Sequence, residues 1–447
     1  MRHLNKPRGQ GFKFGMRFLL AAALAVTALG LAAPPASAAT IVVNTTTDQS
    51  LGDCSSSCSL RDAVATAADG DTVSIPAGTY VLTLGEIAID QNLTLAGAGA
   101  RSTVLDGNAA SRVLNVGANN NFANVVISDL TVRNGSAALE GGGILNSAAL
   151  DVQRCLITAN RSQSSGGGIY SYDAAFLSVE ESLVAGNRAD IDGGGIYSLG
   201  FIGPSNSTIS GNSAANSGGG LVIGRRAIAF NNTIAGNSAS SGGGAVSGSL
   251  SQIFLVNTII AGNTGGDCLA ANTRQFSVHD LDSDGSCGLT DPGNLPGTNP
   301  LLGPLANNGG PTDTYALLAG SPAIDAGDNA NCLPTDQRGV TRPQGPACDI
   351  GAFERVPTPQ DQIAALTAQI NSLITAGALT PSNANPLLNA LNNAAKHLAK
   401  GQVAQTCKEL GDFIQKVNGD IQTGKLTAAD GQALIDAANA IRANLGC

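Results

Sequence analysis

Residues 228–244 read IAFNNTIAGNSASSGGG, and this combination of short apolar runs, asparagine and a glycine triplet recurs along the chain. Asparagines recur in step with the triplets, 25 to 27 residues apart, at Asn134, Asn160, Asn187, Asn212, Asn237 and Asn263. A constant period of this length is typical of a solenoid, in which each repeat stacks on the previous one.

Within each repeat, apolar and polar residues alternate with the period of two that β-strands require. The pattern predicts an all-β solenoid, specifically a single-stranded parallel β-helix with one repeat per coil. The general rule for parallel crossovers makes this β-helix right-handed. Alternation places Ile228, Phe230, Asn232 and Ile234 inward. Small residues occupy the position of Asn232 in other coils and predict a polar ladder: Asp129, Cys155, Ser182, Ser207 and Thr258. The recurring asparagines predict a second ladder, at a turn with left-handed backbone.

Residues 1–38 have the features of a secretory signal peptide. A basic leader precedes the apolar run Phe18–Ala33, and Ala36-Ser37-Ala38 suits cleavage near Ala38. No later stretch is apolar enough to span a bilayer. The sequence therefore predicts a secreted or cell-surface protein.

The mature chain is acidic. Without the five basic residues of the leader, 19 of the 24 basic residues remain against 33 acidic ones, a net charge of −14. Residues 39–355 contain 13 arginines and no lysine. This balance disfavours nucleic acid as a partner.

Nine cysteines suit an exported protein. Eight of them fall into local pairs, which we expect to be disulfides: Cys54 with Cys58, Cys268 with Cys287, Cys332 with Cys348, and Cys407 with Cys447. Other pairings remain open, because sequence alone does not fix connectivity. The ninth, Cys155, lies in the inward ladder and is predicted to be a buried free thiol.

The β-helix is predicted to have an amino-terminal cap and irregular coils at 39–122, and regular repeats at 123–298. The segment Cys58–Val64, CSLRDAV, resembles the CSLREA motif of exported β-helix proteins, and the Gly-Gly-Gly-Ile repeats resemble those of polymorphic outer-membrane proteins. Residues 299–356 contain GSPAIDAG and CDIGAFE and resemble the carboxy-terminal signature of choice-of-anchor Q proteins. We interpret them as a carboxy-terminal cap, in which Asp336 pairs with Arg338. The resemblance implies surface display.

The periodicity changes to 3.6 residues after Pro357. Residues 357–447 are predicted to form four helices: Ile363–Ala376, Asn385–Lys400, Val403–Gln422 and Ala428–Leu445. This domain resembles the helical FIMAH-type modules of secreted bacterial proteins.

One acidic loop has the spacing of a calcium site. Asp280, Asp282 and Asp284 occupy positions 1, 3 and 5, a glycine follows at position 6, and Asp291 occupies position 12. Carboxylate oxygens at this spacing predict a possible Ca²⁺ site. The alternative is a polar turn that the nearby cysteine pair holds.

Polysaccharide lyases and pectin hydrolases share the predicted architecture, so an enzyme is the alternative to a binding protein. The candidate groups are Asp190, Asp192, Glu180, Glu181, Arg161 and Arg188. No strand concentrates an acid, a base and a cation as such sites require. The basic pair Arg225-Arg226 is interpreted as an exposed turn.

We therefore predict a non-catalytic adhesion or ligand-binding protein, and a carbohydrate-active enzyme is the alternative function. The expected partner is an extracellular polysaccharide or another cell-surface component. The chain is expected to be monomeric, with no cofactor other than the possible calcium ion.

Overall fold

The computed structural model describes residues 38–119, 122–248, 251–270 and 274–447. The predicted signal peptide lies outside these residues, apart from Ala38. From Thr40 to Asp282 the chain winds into a parallel β-helix, in which three sheets, here named A, B and C, run along the axis. Each coil contributes one strand to each sheet, and about eight coils contribute to all three. This confirms the predicted solenoid.

The sheets have the following strands. Sheet A contains Thr40–Val42, Asp71–Ile75, Leu93–Gly97, Asn124–Ser128, Ala149–Gln153, Phe176–Glu180, Phe201–Ser205, Arg226–Phe230, Gln252–Val256 and Arg274–Val278. Sheet B contains Gly78–Val81, Thr103–Asp106, Thr131–Arg133, Leu156–Thr158, Leu183–Ala185, Thr208–Ser210, Thr233–Ala235, Ile259–Ala261 and Leu281–Asp282. Sheet C contains Ile87–Ile89, Leu114–Val116, Ile144–Asn146, Ile169–Ser171, Ile196–Ser198, Leu221–Ile223, Ala245–Ser247 and Cys268–Ala270. A fourth, short sheet contains Ser136–Ala137, Arg161–Ser162, Arg188–Ala189 and Ser213–Ala214.

The glycine triplets make the corner before sheet C. In one coil Gly193 has φ of +66°, which a residue without Cβ adopts at little cost. A Cβ on the next residue, Gly194, would overlap the backbone carbonyls of Ser213 and Gly219 in the following coil. The first glycine is therefore required for its backbone angle, and the second for the close approach of adjacent coils.

The predicted faces of residues 228–234 are half wrong. Asn232 and Ile234 are buried inside the β-helix, but Ile228 and Phe230 lie on the outer face of sheet A, and Ala227 and Ala229 point inward. The cause is Asn231, which adopts φ of +52° at the corner between sheets A and B. A left-handed residue at this corner shifts the inward–outward alternation of side chains by one residue. The alternation of one strand therefore cannot be extended into the next.

A column of buried asparagines follows the short fourth sheet. The main-chain N–H and the Nδ2 of Asn187 both donate to Oδ1 of Asn212, at 3.0 and 2.9 Å. The same pair of bonds joins Asn160 to Asn187, Asn212 to Asn237, and Asn237 to Asn263.

Asn134 does not belong to this column, contrary to prediction. Gly135 occupies the position, and its N–H donates to Oδ1 of Asn160 at 2.8 Å. Asn134 has φ of +52° and donates instead to Asp106. The left-handed residue of the turn thus precedes the column; in later coils it is Ala159 or a glycine such as Gly186.

A second column follows the corner between sheets A and B, with members Cys155, Ser182, Ser207, Asn232, Thr258 and Asp280. The N–H of each of the first five residues donates to the side chain of the next member. Asp129 was predicted here, but Leu130 is the inward residue of its coil. Asp129 has φ of +57° and accepts two bonds from Arg154 on the outside.

Both ends of the apolar core are covered. At the amino end lies helix α1, Leu60–Thr66, whose Leu60 and Val64 join the core. Its N-cap is Ser59, whose Oγ accepts from Asp62 N–H at 3.0 Å. At the other end, Cys287 and Leu289 of the acidic loop join the core.

Residues 299–354, here called the lateral segment, were predicted to cap the carboxy end. They instead run back along the outer side of sheet B and include a hairpin of Leu302–Ala306 and Thr314–Leu317. The contacts with the β-helix are Asn206 to Thr335, Thr208 to Gln337, Ser210 to Tyr315, Thr233 to Ala352, and Arg101 to Asp313. The segment therefore fastens coils that are distant from each other in sequence.

A buried ionic cluster holds the lateral segment together. The predicted pair is confirmed: Arg338 lies 2.6 Å from Asp336. Arg342 contacts Glu354 at 3.0 Å, and both side chains are almost completely buried. Burial and the neighbouring Glu354 raise the pKa of Asp349 to about 7. All five residues belong to the part of the sequence that resembles choice-of-anchor Q proteins.

Four helices follow: α2, Pro359–Thr375; α3, Pro381–Ala399; α4, Val403–Gln422; and α5, Ala428–Leu445. The last two have the predicted bounds. The first two begin four residues early, because a proline in the first turn starts each of them. Buried residues of all four helices, among them Leu366, Leu391, Phe413 and Leu434, form one core.

Candidate functional site

The outer face of sheet A carries a cluster of aromatic side chains. Five of the eight phenylalanines after residue 38 lie there: Phe176, Phe201, Phe230, Phe254 and Phe276. Phe176, Phe254 and Phe276 are 45%, 36% and 51% exposed. Large exposed aromatic groups in one patch mark a surface that binds something, because isolated monomers rarely expose them together.

Register between the coils creates this patch, which we call the aromatic face. Phe176 is paired with Phe201 in the next coil, and their rings stack with centroids 4.7 Å apart and planes 9° from parallel. Phe254 and Phe276 are paired in the same way, with centroids 5.8 Å apart. Since adjacent parallel strands lie about 4.8 Å apart, register brings the rings of each pair into contact, stacked in the first pair and tilted by 46° in the second.

Arg226 lies between the two phenylalanine pairs. It is the register partner of Phe201 on the next strand of sheet A, and it begins the strand that contains Phe230. Its guanidinium carbon lies 5.8 Å from the centroid of Phe201 and 5.6 Å from that of Phe254. Both distances are within the range of a cation–π interaction. The predicted exposed turn at Arg225-Arg226 is therefore correct only for Arg225, because Arg226 is the first residue of a strand.

Three tyrosines extend the aromatic surface towards sheet C. Tyr170 stacks on Tyr197 of the next coil with centroids 5.2 Å apart, and it meets Tyr172 edge to face at 5.0 Å. Burial raises the pKa of Tyr170 to about 12, with smaller contributions from Tyr197 and Glu140. Tyr172 and Phe176 flank the turn between sheets C and A, so one coil contributes to both groups of rings.

The four aspartates of the predicted calcium site already accept hydrogen bonds from backbone N–H groups. Asp280 accepts from Thr258 and Val278, Asp282 from Cys287 and Gly297, and Asp284 from Ser286 and Asp267. Asp291 accepts from Ser277 at 3.3 Å. Desolvation raises the pKa of Asp280 well above its usual value. Among the described residues, no three His, Cys, Asp or Glu side chains form a group that could hold a metal ion. The structure does not test calcium binding, and these hydrogen bonds favour the alternative interpretation of the loop as a polar turn.

The cysteines of the described chain pair as Cys54–Cys58, Cys268–Cys287, Cys332–Cys348 and Cys407–Cys447. Cys268–Cys287 ties the acidic loop to the last strand of sheet C. Cys155 is a buried thiol.

The aspartates considered for catalysis have structural partners in the β-helix. Asp190 bridges Arg161 at 2.7 Å and Arg188 at 3.1 Å, and the bond from Arg161 lowers its pKa. Asp192 accepts from Ser217 on the following coil.

The two adjacent glutamates point to different surroundings. Glu180 accepts from Ser178 at 3.0 Å on sheet A. Glu181 has φ of +49° at the corner beyond, and burial raises its pKa. The acidic groups at these positions supply ion pairs and turn contacts.

The helical region is similar to a known family. Residues 363–443 match the FIMAH domain. The solved structure of pectate lyase Pel9A is similar with a TM-score of 0.42 and 13% identity, over 71% of this chain and 97% of that one. The comparison with curated proteins finds no match.

None of the helices in the described part of the chain is both long and apolar enough to cross a membrane.

The sequence reasoning missed the aromatic face. The available signal was the spacing of 25 residues between Phe176 and Phe201, each at the start of an equivalent strand.

Proposed function

We propose that this chain is an exported β-helix protein, secreted or displayed on the cell surface, that binds an extracellular polysaccharide without cleaving it. The aromatic face carries the proposal, because it concentrates five phenylalanines on one outer sheet. Pyranose rings have apolar faces of C–H groups, which pack against exposed aromatic rings, while their hydroxyl groups remain in water.

The shape of the face suits a chain-like ligand. Within each phenylalanine pair the rings are one coil apart, about 4.8 Å, and the coil that contains Arg226 lies between the two pairs. An extended polymer lying along the axis would therefore meet the rings of both pairs in succession. Each contact would be weak, and their combination would raise the affinity through effective concentration. The negative charge of the mature chain disfavours a nucleic acid as the stacking partner.

Binding without cleavage is supported by the distribution of the acidic groups. Asp190 is held by two arginines, and Asp192 accepts from Ser217, so both carboxylates already have structural partners. A glycosidase needs two carboxyl groups on opposite sides of the scissile bond. A carbohydrate-active enzyme is the alternative function, and it would produce new reducing or unsaturated sugar ends.

We further propose that the chain is a member of the choice-of-anchor Q group of exported β-helix proteins and is a monomer. The support is the CSLRDAV and GSPAIDAG segments, together with the ionic cluster of Arg342, Asp349 and Glu354 in the second half of that signature. The helical module would then provide attachment or a second contact.

The test is a binding assay on glycan arrays and insoluble polysaccharides with the purified mature protein. The double variant Phe176→Ala/Phe201→Ala should reduce binding by about tenfold or more, because each exposed ring contributes on the order of 1 kcal/mol. Leu139→Ala is the matched control, since Leu139 is a 66% exposed apolar residue outside sheet A. Equal losses in both variants, or the appearance of new reducing or unsaturated sugar ends, would overturn the proposal.

A further inference from the structure

The arginines of the β-helix and lateral segment are almost all neutralised by carboxylates. Eleven of the thirteen between residues 39 and 355 form salt bridges: Arg61, Arg101, Arg112, Arg133, Arg154, Arg161, Arg188, Arg225, Arg338, Arg342 and Arg355. In an acidic protein this pairing is expected, because carboxylates outnumber cations. An arginine that lacks such a partner is the exception that requires explanation.

Among the arginines whose side chains the structure describes, which do not include Arg274, Arg226 is that exception. Within the described residues its guanidinium has neither a salt bridge nor a side-chain hydrogen bond, and the residue is exposed. Its immediate neighbour Arg225 is paired with Asp173 at 3.0 Å. Two adjacent arginines of the same charge thus have different surroundings, one with a carboxylate and one with aromatic rings.

The rings of Phe201 and Phe254 position Arg226 without using its hydrogen bonds. A cation–π contact attracts the charge to the ring but leaves the N–H groups at the edge of the guanidinium available. Those groups form a planar fork that matches the two oxygens of a carboxylate or sulfate. The geometry therefore presents an unused anion-binding fork at the centre of the aromatic face.

We propose that Arg226 makes the aromatic face selective for an acidic polysaccharide, by binding a carboxylate or sulfate group of a sugar whose neighbouring rings pack on the phenylalanines. The proposal rests on the proposed function and specifies its ligand class. The partner must be extended, to span the two phenylalanine pairs, and anionic at the sugar that lies over Arg226. Charge complementarity is local, since the rest of the molecule repels anions.

The test compares each polymer with a form of the same backbone that differs in charge. Alginate is compared with alginate esterified at its carboxylates, and dextran sulfate with dextran, so the two arms distinguish carboxylate from sulfate. Wild type should bind one anionic form about tenfold more tightly than its neutral counterpart, as expected for a charge-assisted hydrogen bond. Arg226→Gln should abolish that preference, and Arg226→Lys should restore part of it. Arg225→Gln is the matched control and should retain the preference.

The outcomes separate this inference from the proposed function. If wild type binds charged and neutral forms equally, or if Arg226→Gln and Arg225→Gln behave alike, the selectivity of Arg226 is overturned while glycan binding stands. If no polysaccharide binds, or if the double phenylalanine variant binds normally, the proposed function itself fails. Binding to anionic lipid vesicles without binding to either polymer would overturn both, and would assign the face to a membrane surface.

Discussion

Nδ2 of Asn263 donates to Oδ1 of Asp267 at 2.9 Å, and this bond ends the asparagine column at a carboxylate. In every earlier step the carboxamide oxygen accepts from the preceding asparagine. The NH₂ group donates both to the next carboxamide oxygen and to a main-chain carbonyl of the preceding coil, as in Asn187 and Asn212. The carboxamides therefore share one orientation, and the last NH₂ group donates to the carboxylate of Asp267. The column is a directed chain of hydrogen bonds with an electrostatically matched end.

Removing one member of this chain should be costly. Asn212→Ala deprives two donors on Asn187 of their acceptor and leaves Oδ1 of Asn237 and the carbonyl of Val184 each one donor short. We expect a loss of about 2–3 kcal/mol in the free energy of unfolding, measured by denaturant titration. Asn216→Ala, at an exposed asparagine of the same coil, is the control. Equal stability of the two variants would contradict the role of the column.

Cys155 should behave as an inaccessible thiol. It is completely buried, and burial raises its pKa to about 12, so almost no thiolate forms at neutral pH. We expect a thiol reagent to label no cysteine in the native protein and one per chain in denaturant without reductant. Cys155→Ser should remove that single signal. Labelling of a second cysteine would disprove the pairing of the other eight.

Stability should fall as the pH rises between about 4 and 7. The pKa of Asp349 is about 7 in the folded protein and near its ordinary value of 3.8 when unfolded, so the folded state binds the proton more tightly in this interval. The contribution is fully present below pH 4 and is lost above pH 7, with a slope of at most about 1.4 kcal/mol per pH unit. Glu354, whose pKa burial also raises, acts in the same direction.

Thermal unfolding across this pH range measures the effect. Asp349→Asn should flatten the pH dependence, while Asp173→Asn on the exposed surface should leave it unchanged. An undiminished slope in Asp349→Asn would mean that another group is responsible.

Filling an apolar cavity should stabilise the β-helix. Ala227 is paired with Ile202 and Ile253 in the adjacent coils, and the space beside it is lined by Ile223 and Leu255. Ala227→Val adds apolar volume at a position where neighbouring coils already have isoleucine. We expect a gain of about 0.5–2 kcal/mol in denaturant titration. Ala215→Val at an exposed site is the control, and a destabilised Ala227→Val would show that the space is too narrow.

Millimolar calcium should leave the unfolding temperature unchanged. Each carboxylate of the acidic loop already accepts backbone N–H groups, and Asp282 accepts two of them. A cation would have to displace these bonds before it gained ligands. Differential scanning calorimetry with calcium and with chelator checks this. A calcium-dependent rise in unfolding temperature that Asp282→Asn abolishes would establish an ion site instead.

The repeat length predicted the β-helix because each coil has the same local requirements, namely short strands, glycine corners and buried asparagine. The predicted ladder positions were wrong by one residue at Asp129 and Asn134. Alignment by polarity selected these outer, left-handed residues, whereas Leu130 and Gly135 occupy the ladder positions. The aromatic face was missed because the same kind of left-handed corner, at Asn231, shifted Phe230 from the predicted inside to the outside.

The position of the lateral segment could not be predicted from the period. Its partners, such as Thr208 for Gln337, are polar residues on the outer side of sheet B that resemble ordinary solvent-exposed positions in the sequence. Only the folded chain shows that these residues are buried. The ionic cluster was predicted in part, because Asp336 and Arg338 are close in sequence, whereas Arg342 and Glu354 meet across a longer turn.

Repeat proteins ordinarily gain or lose units by duplication or deletion, because each unit contacts only its neighbours. The lateral segment removes that freedom here. It contacts Arg101 through Asp313 and Thr233 through Ala352, on coils far apart in the stack. Inserting one coil between them would displace one set of contacts by about 4.8 Å from the other. The lateral segment, which lies outside the repeats, therefore fixes the number of coils between these two contacts.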